Sequence, residues 1–360
     1  MTTFIQLHLL TPYAASNLNR DDVGRPKTLL WGKAERLRIS SQSLKRAWRE
    51  SDVFAAEIGE AKGVRSAAFG ATLQGSLEAR GLAPEEAEKR VRAVIEHDKL
   101  GKLEKTGIAT NQLVHLGPDE LQVMDALADR LLAKDKIEDK DALVLSERPR
   151  AADIALFGRM LADNSYYNID AAAQVAHAFT THKATVEDDF YTAVDDLKTA
   201  NREADRGAGF VGVHEYGAGL FYLYVCLNAD QLLDNLSGDG ALAQNVVRGL
   251  IEAAATVAPR GKQNAYASRS RALYGRVEVG SSQPMSLAAA FLDPIGRQPE
   301  EEDVFAASVS KLQSLRASVS KAYGDTLATQ EMNARDGGGS LADLTGLAIE
   351  AVAQAGKVHG

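Results

Sequence analysis

The stretch "RLRISSQSLKRAWRE", residues 36–50, decides the fold because a strand and a helix meet in it. Its first four residues alternate a basic with an apolar side chain, which predicts a half-buried β-strand. Arg36 and Arg38 then share one face of that strand, and Ser40 follows on the same face. The serines that come next favour helix N-caps, so "LKRAW" continues as a helix.

The predicted helix also has two faces. Its polar face is formed at i, i+3, i+4, i+7 spacing by Gln42, Lys45, Arg46 and Arg49. Leucine, alanine and tryptophan take the opposite face. The strand and the helix are each predicted to bury an apolar face and to expose a basic one.

The basic stretch stands out because the chain as a whole is acidic. Residues 1–50 carry nine Lys or Arg and four Asp or Glu, a net charge of +5, whereas the formal net charge of the chain is -8. The remaining residues therefore carry -13. A basic segment on an acidic body attracts a polyanion at one place only. A sequence pI near 5.5 argues against DNA binding over the whole surface.

Length and composition bound the class of protein. The chain has 360 residues, of which 45% are hydrophobic, enough for one large domain or two to three small ones. No apolar run approaches the roughly 20 residues of a membrane span, and no basic leader marks a signal peptide. Cys226 is the single cysteine, so an intrachain disulfide is excluded, and its alternating apolar surroundings predict a buried packing residue. We expect a cytoplasmic protein with no membrane partner.

Periodicity divides the rest of the chain into strands, helices and loops. Strands are predicted at 4–10 and 276–279, and a loop rich in charge, Gly and Pro at 18–34. Residues 55–185 are predicted to be mainly helical, and 188–228 to form a long projecting hairpin. Helices are predicted at 84–97, 118–134, 153–160, 171–182, 240–258 and 304–323 and at the end of the chain.

Residues that usually carry catalysis or metal binding are not clustered in the sequence. His177 and His182 are five apart, which does not place them on one helical face, so we expect no metal site there. Asp21 and Asp22 have two interpretations. They could bind a divalent ion beside a phosphate. Alternatively, they pair with nearby basic residues and shape the loop, and we prefer this second interpretation.

Phosphate binding is the stronger hypothesis for the basic strand and helix. Lys and Arg side chains neutralise phosphates, and Ser40, Gln42 and Ser43 add neutral donors at the helix start. A second basic patch, residues 260–276, has no acidic residue. The alternative is a solvated basic face that pairs with the protein's own acids, and the residues alone leave both interpretations open.

Five stretches, in order, resemble a known family. They are "FIQLHLLTPYAASNLNRDD", "RLRISSQSLKRAWRES", "DIALFGRM", "VAHAFTTHKATVEDDFYTAVDDL" and "GKQNAYA". Together they resemble the CasC family, the backbone subunit of the type I-E CRISPR surveillance complex Cascade. "RISSQSLKRA" and "FYTAVDDL" are the most specific of these matches. The resemblance covers roughly residues 1–290.

The resemblance implies an α+β fold shaped as a hand. An RRM-like (ferredoxin-like) palm would take residues 1–55 and, with C-terminal helices, 221–360. A large helical insertion, the fingers, would take 56–185, and a projecting hairpin, the thumb, 186–220. Several copies would stack as a helical filament along one CRISPR RNA (crRNA), flip a base out periodically and leave the others free to pair with target DNA.

The resemblance also implies which residues contact RNA. The guide backbone would be held by Arg20, Lys27, Ser40, Gln42, Lys45, Arg46, Arg49, Lys262, Gln263 and Asn264. Met160 would be an apolar wedge against a base, although from the residues alone an ordinary core methionine is the preferred interpretation. The thumb residues against the guide–target duplex would be Phe190, Tyr191, Thr192 and Val211.

The implied mechanism is binding without chemistry, with no cofactor and no metal. Partners would be crRNA, target DNA through pairing, further copies of the chain, other Cascade subunits and a recruited helicase-nuclease that cuts the DNA. One alternative is a metal-dependent RNA endonuclease of the type III backbone kind that uses Asp21 or Asp22. The other is a free-standing protein that binds single-stranded RNA as a monomer.

Overall fold

The computed structural model describes residues 2–104, 107–133, 144–193, 210–296 and 303–359. Its strands are β1 (Phe4–Ser16), β2 (Thr28–Trp31), β3 (Ala34–Ile39), β4 (Val64–Ser66), β5 (Val114–Leu116), β6 (Ala173–Val175), β7 (Ala178–Thr180), β8 (Val186–Ala193), β9 (Phe210–Asn228), β10 (Tyr274–Gly280) and β11 (Ala328–Asn333). Its helices are α1 (Ser41–Arg49), α2 (Asp52–Ile58), α3 (Phe69–Ala79), α4 (Pro84–His97), α5 (Pro118–Ala133), α6 (Ala152–Phe157), α7 (Ala229–Asn235), α8 (Gly240–Thr256), α9 (Gln263–Tyr266), α10 (Val304–Tyr323) and α11 (Leu341–His359). Short 3₁₀ turns lie at Ser165–Tyr167 and Leu287–Phe291.

A large antiparallel sheet forms the body of the molecule. Its strand order is β11-β10-β1-β9-β7-β3-β2, and β6 and β8 also pair with β9. In β9, Phe221 and Leu223 alternate with Leu220 and Tyr222 between two separate hydrophobic clusters, one on each face of the sheet. Because both faces are covered, β9 is apolar almost without interruption through its second half.

Helices cover the two faces of the sheet unequally. On one face, α1, α2, α8 and α11 enclose the larger cluster, in which Trp48 and Phe54 are almost fully buried. On the other face, α10 and the 3₁₀ turn pack Leu312 and Phe291 against the sheet. A third cluster, which includes Leu77 and belongs mainly to α3, α4 and α5, lies within the insertion that follows α2.

Several predicted elements are confirmed. Helix α1 begins after the N-cap Ser40, α4 spans 84–97 as predicted, and α5, α8, α10 and α11 lie where helices were expected. The mixed α+β class is confirmed, and Cys226 is buried. In the described part of the chain, no helix is both long and apolar enough to cross a membrane. The domain boundaries at 55, 185 and 220 stay predictions.

The predicted helix at 171–182 is wrong. This alanine-rich stretch forms β6 and β7, which pair with β9 through Ala173–Leu227 and Phe179–Tyr222. Alanine favours helices in isolation, but pairing with an adjacent strand overrides that preference. The predicted loop at 18–34 is also partly wrong, because it contains β2, which pairs with β3.

The prediction that Arg36 lies on an exposed basic face is wrong. Its side chain is 0% exposed, and the guanidinium donates to the carbonyl oxygens of Thr180 and Phe291 at 2.9 and 2.8 Å. Strand β3 lies between β2 and β7, and the Leu287–Phe291 turn covers the face that carries Arg36. Burial lowers the pKa of Arg36. An alternating strand pattern does not reveal that both of its faces are covered.

Candidate nucleic-acid interface

The start of α1 is tied to the first loop of the chain. The Ser40 hydroxyl accepts a hydrogen bond from the Ser43 N–H at 3.3 Å, as an N-cap does. The Ser40 N–H donates in turn to Asn19 Oδ1 at 2.8 Å. The first turn of α1 carries no acidic residue, and Gln42 is exposed beside it. The loop with Arg20 and the helix with Lys45 are therefore held together at this point.

Lys45 lies half-buried on the polar face of α1. Its ammonium group lies over the ring of Phe157, 5.8 Å from the centroid. Burial lowers the pKa of Lys45, and the positive charge of Arg65 lowers it further. Among the described residues no carboxylate lies within ion-pair distance of Lys45 or of Arg65. Neither cation therefore has a counter-ion in the described part of the chain.

The two arginines that follow Lys45 have acidic partners. Arg46 is exposed and pairs with Glu50 at 3.0 Å, one turn further on. Arg49 is mostly buried and donates from Nε to Asp153 Oδ2 at 2.9 Å. A role for either side chain in RNA binding stays a prediction, and the contact with Asp153 already gives Arg49 a structural role.

Asp153 joins the sheet body to the helical insertion. Its fully buried carboxylate accepts from Arg49 of α1, from the Gly63 N–H at 2.8 Å and contacts His115 Nε2 at 3.0 Å. Burial raises the pKa of this carboxyl, but the hydrogen bond from His115 and the charges of His115 and Arg49 outweigh burial and lower it. Asp153 is therefore ionised and fixes three segments relative to one another.

The loop that carries Arg20 and Lys27 is shaped by its own aspartate. Asp21 Oδ1 accepts from the backbone N–H groups of Val23 at 3.1 Å and Arg25 at 2.8 Å. Asp21 thus shapes the loop, as the preferred interpretation has it, but the expected pairing with Arg25 is not seen, because the Arg25 guanidinium pairs with Glu215 at 2.8 Å. Asp22 is exposed. Within the described ranges no group of three or more His, Cys, Asp or Glu is placed to hold a metal ion.

The "GKQN" loop lies against the first loop. A Cβ at Gly261 would lie 2.4 Å from the carbonyl oxygen of Leu18, so only glycine allows this approach. Lys262 Nζ contacts His214 Nε2 at 3.2 Å. The Gln263 amide donates to carbonyls of its own loop, whereas Asn264 is exposed. An open cavity of about 1180 Å³ adjoins this loop and is also lined by Arg260, Arg269 and Arg271.

Met160 projects from a rigid loop. Its side chain is 79% exposed, although both of its neighbours are buried. Arg159 donates to both oxygens of Glu120 at 2.7 and 2.8 Å and also to the Ser146 carbonyl at 2.7 Å. The Leu161 N–H donates to Asn168 at 2.6 Å. The exposure of Met160 argues against its alternative interpretation as a core residue.

The hairpin β8–β9 separates the predicted thumb residues onto two faces. Phe190 and Thr192 alternate with Tyr191, and Val211 pairs with Thr192. Phe190 is 66% exposed and Val211 is exposed on the same face. Tyr191 points the other way and stacks on His214, with ring centroids 4.4 Å apart. The centre of the predicted hairpin, 194–209, lies outside the described residues.

Two sets of contacts connect the predicted site residues around α1. The Arg20 loop, the start of α1 and the "GKQN" loop are joined by Asn19 and Gly261. The Met160 loop reaches α1 through Phe157 and Asp153. Sequence reasoning missed Arg65 and His214, since neither stands in a basic run or a motif.

Comparison with known proteins assigns this chain to a family. The model of the family described as CT1975-like protein, a family of Cas proteins, matches residues 5–354. The chain belongs to this family. No curated protein matches its sequence.

Two solved structures resemble this CT1975-like chain along its whole length. A chain of a "CRISPR RNA-guided surveillance complex, pre-nicking" is 31% identical with a TM-score of 0.82, and the match covers 98% of this chain and 100% of that one. A chain of a "CRISPR RNA-guided surveillance complex" is 26% identical with a TM-score of 0.73, covering 97% and 99%. The CT1975-like chain is therefore a Cas protein similar to subunits of such complexes.

Proposed function

We propose that this chain is the non-catalytic backbone subunit of a type I-E Cascade complex, the CasC subunit, and that it binds crRNA through the RNA backbone. One observation carries the proposal. Arg20, Lys27 and Lys45 have no acidic partner in the described part of the chain, and they lie on segments that hydrogen bonds join into one surface. The full-length similarity to a surveillance-complex chain supports the same assignment.

In this proposal the sheet body is the palm, the insertion with α3, α4 and α5 is the fingers, and the hairpin β8–β9 is the thumb. Several copies stack along one guide. The exposed face of the hairpin, with Phe190 and Val211, contacts the guide–target duplex, and Met160 displaces a base. Other Cascade subunits are its further partners.

The binding mode follows from the chemistry of the surface. Contacts to phosphates carry no sequence information, so one surface accepts any guide. Pairing between guide and target DNA then supplies the specificity. Cleavage of the DNA falls to a recruited helicase-nuclease, and this chain contributes no catalytic group, metal or cofactor.

Co-purification tests the proposal. The chain, purified from its own cells together with its neighbours, is expected to carry RNA of uniform length in particles that contain several copies. A monomer that binds single-stranded RNA tightly and without cooperativity would instead identify a free-standing RNA-binding protein. Divalent-ion-dependent cutting of complementary RNA, abolished in Asp22→Ala, would identify a nuclease. The first result would refute the backbone role, and the second would refute the non-catalytic character of the subunit.

Met160→Ala tests the wedge. The side chain is exposed and packs against nothing in its own core, so we expect assembly and stability to be unchanged. Chemical probing of unpaired guide bases should show loss of the periodic displaced base. Met285→Ala, at a partly exposed methionine elsewhere, is the matched control. An identical probing pattern in Met160→Ala and wild type would contradict the wedge role.

A further inference from the structure

We propose that Arg65 and Lys45 together bind one phosphate of single-stranded RNA, at the seam where α1 of the sheet body meets the β4–β5 strand pair of the insertion. This inference rests on the proposed function and deepens it. It adds a contact from the insertion to a guide-binding surface that sequence reasoning confined to the first loop, α1 and the "GKQN" loop.

A chain of contacts across the seam links Arg65 to Lys45. Arg65 of β4 lies directly across from His115 of β5 in the antiparallel pair. The ring of His115 contacts Arg49 at 3.2 Å. Lys45 precedes Arg49 by one helical turn on the same face of α1. Arg65 and Lys45 therefore lie on either side of the contact between Arg49 and His115.

The charges at the seam are unbalanced. Arg49 is neutralised by Asp153, whereas Arg65 is exposed and neither it nor Lys45 has an acidic partner among the described residues. Two like charges in proximity are unfavourable unless an anion lies between them. The lowered pKa of Lys45, caused by burial and then by Arg65, agrees with this proximity. A bound phosphate would remove the repulsion.

The seam is rigid enough to hold a fixed pair. Asp153 accepts from Arg49 and from the Gly63 N–H, two residues before Arg65. The Lys45 ammonium also makes a cation–π contact with the ring of Phe157. The Lys45 ammonium and the backbone just before Arg65 are therefore both held in place. Arg supplies a planar fork for two phosphate oxygens, and Lys supplies a point charge.

Salt-dependent binding of the full-length chain to a polyuridylate oligonucleotide tests the shared site. Arg65→Gln is expected to weaken binding by about fivefold to tenfold. Lys45→Gln with Arg65→Gln should lower the slope of log K against log salt by about 0.7, the value for one phosphate of a single strand. Arg65→Lys should recover most of the affinity, because it keeps the charge.

Lys321→Gln is the matched control, since Lys321 is an exposed cation on α10, which packs on the opposite face of the sheet from α1. It should leave affinity and slope unchanged. Inorganic phosphate should compete only weakly, because a free ion makes none of the other contacts of the strand.

Three results would overturn the inference. Arg65→Gln binding as tightly as wild type would remove Arg65 from the site. A slope change of about 1.4 in the double variant would mean two separate phosphates. A wild-type chain that fails to bind RNA would refute the proposed function as well, whereas the first two results leave that function intact.

Discussion

Arg36, Arg46 and Arg49 belong to one basic stretch, but different groups satisfy each guanidinium. Arg36 is buried and donates only to carbonyl oxygens. Arg46 forms an exposed pair with Glu50, which is worth less than about 1 kcal/mol. Arg49 meets the buried Asp153, a pair that is costly to break because a charge would be left without a partner. Their substitution should therefore affect stability to different extents.

Arg36→Met should destabilise the protein without affecting RNA binding. The substitution leaves the carbonyls of Thr180 and Phe291 without a donor, which costs about 2 kcal/mol or more. Urea unfolding measures the loss of unfolding free energy. RNA binding at several salt concentrations should give the wild-type slope of log K against log salt. Arg46→Met is the control, and its unfolding free energy should change by less than about 0.5 kcal/mol. A reduced slope in Arg36→Met would contradict the burial of this side chain.

His8 should make folding sensitive to acid. Burial, and then the charges of Arg276 and Arg316, lower the pKa of His8 from 6.5 to about 3. With its pKa this low the ring is neutral at neutral pH, and its Nε2 lies 3.9 Å from Glu278, too far for a hydrogen bond. Between these two pKa values the unfolded chain binds the additional proton. The contribution of His8 is therefore complete above pH 6.5 and declines as the pH falls below it.

Because of His8, the unfolding free energy should fall by about 1.4 kcal/mol per pH unit where the decline is steepest. Urea unfolding at a series of pH values above and below 6.5 measures it. His8→Gln lacks the titrating ring, so its unfolding free energy should fall less steeply over the same range. Equal pH dependence in the variant and wild type would show that other groups cause the acid sensitivity.

At the scale of elements, the hairpin β8–β9 has one face that supports the fold and one that does not. Tyr191 stacks on His214, which contacts Lys262, so this face connects the hairpin to the "GKQN" loop. Phe190 and Val213 are directly opposite each other on the other face, and both are exposed. The two faces should respond differently to substitution.

Phe190→Ser should change the unfolding free energy by less than about 0.5 kcal/mol, because the ring is exposed. It should weaken pairing of target DNA by the assembled complex. Tyr191→Ala should instead speed hydrogen exchange of the β8 amides, because the hairpin loses its stacking contact with His214. Equal exchange in the two variants would mean that the stack does not hold the hairpin.

The sequence predicts elements whose signals are local. Ser40 caps α1 with a side chain three residues from its partner, and Pro84 with two acids marks the start of α4. Strands β6 and β7 could not be predicted, because their partner β9 lies about 50 residues away. The same holds for Arg65, whose neighbours depend on the pairing of β4 with β5. The Met160 wedge was expected from resemblance alone, since its exposure depends on Arg159 and Glu120.

At the scale of the whole molecule, the last part of the chain completes the body. Strand β11 extends the sheet beside β10, and α11 packs against the same face as α8. Leu344, Ala348 and Val352 of α11 are fully buried. The last part of the chain, which lies beyond the resemblance seen over roughly residues 1–290, therefore closes the larger hydrophobic cluster.

A chain that stops at Ser340 should not reach the native state. Loss of α11 would expose the surface that Leu344 and Val352 cover, and each fully buried side chain of this size contributes about 1.5–3 kcal/mol. Circular dichroism and size-exclusion chromatography should show an aggregated or poorly folded product. A cooperative unfolding transition at the wild-type midpoint would contradict this role of α11.

Strand β9 runs without a break from the exposed hairpin at Phe210 to Asn228 in the middle of the sheet. In mechanical terms the hairpin is a beam clamped at one end. A load on its outer part bends the beam at its base, near Gly217 and Gly219, where β1 begins to pair with β9. In the proposed filament, a neighbouring copy that pulls on this hairpin would transmit the load to the centre of the sheet, and the stiffness of one strand would limit the curvature of such an assembly.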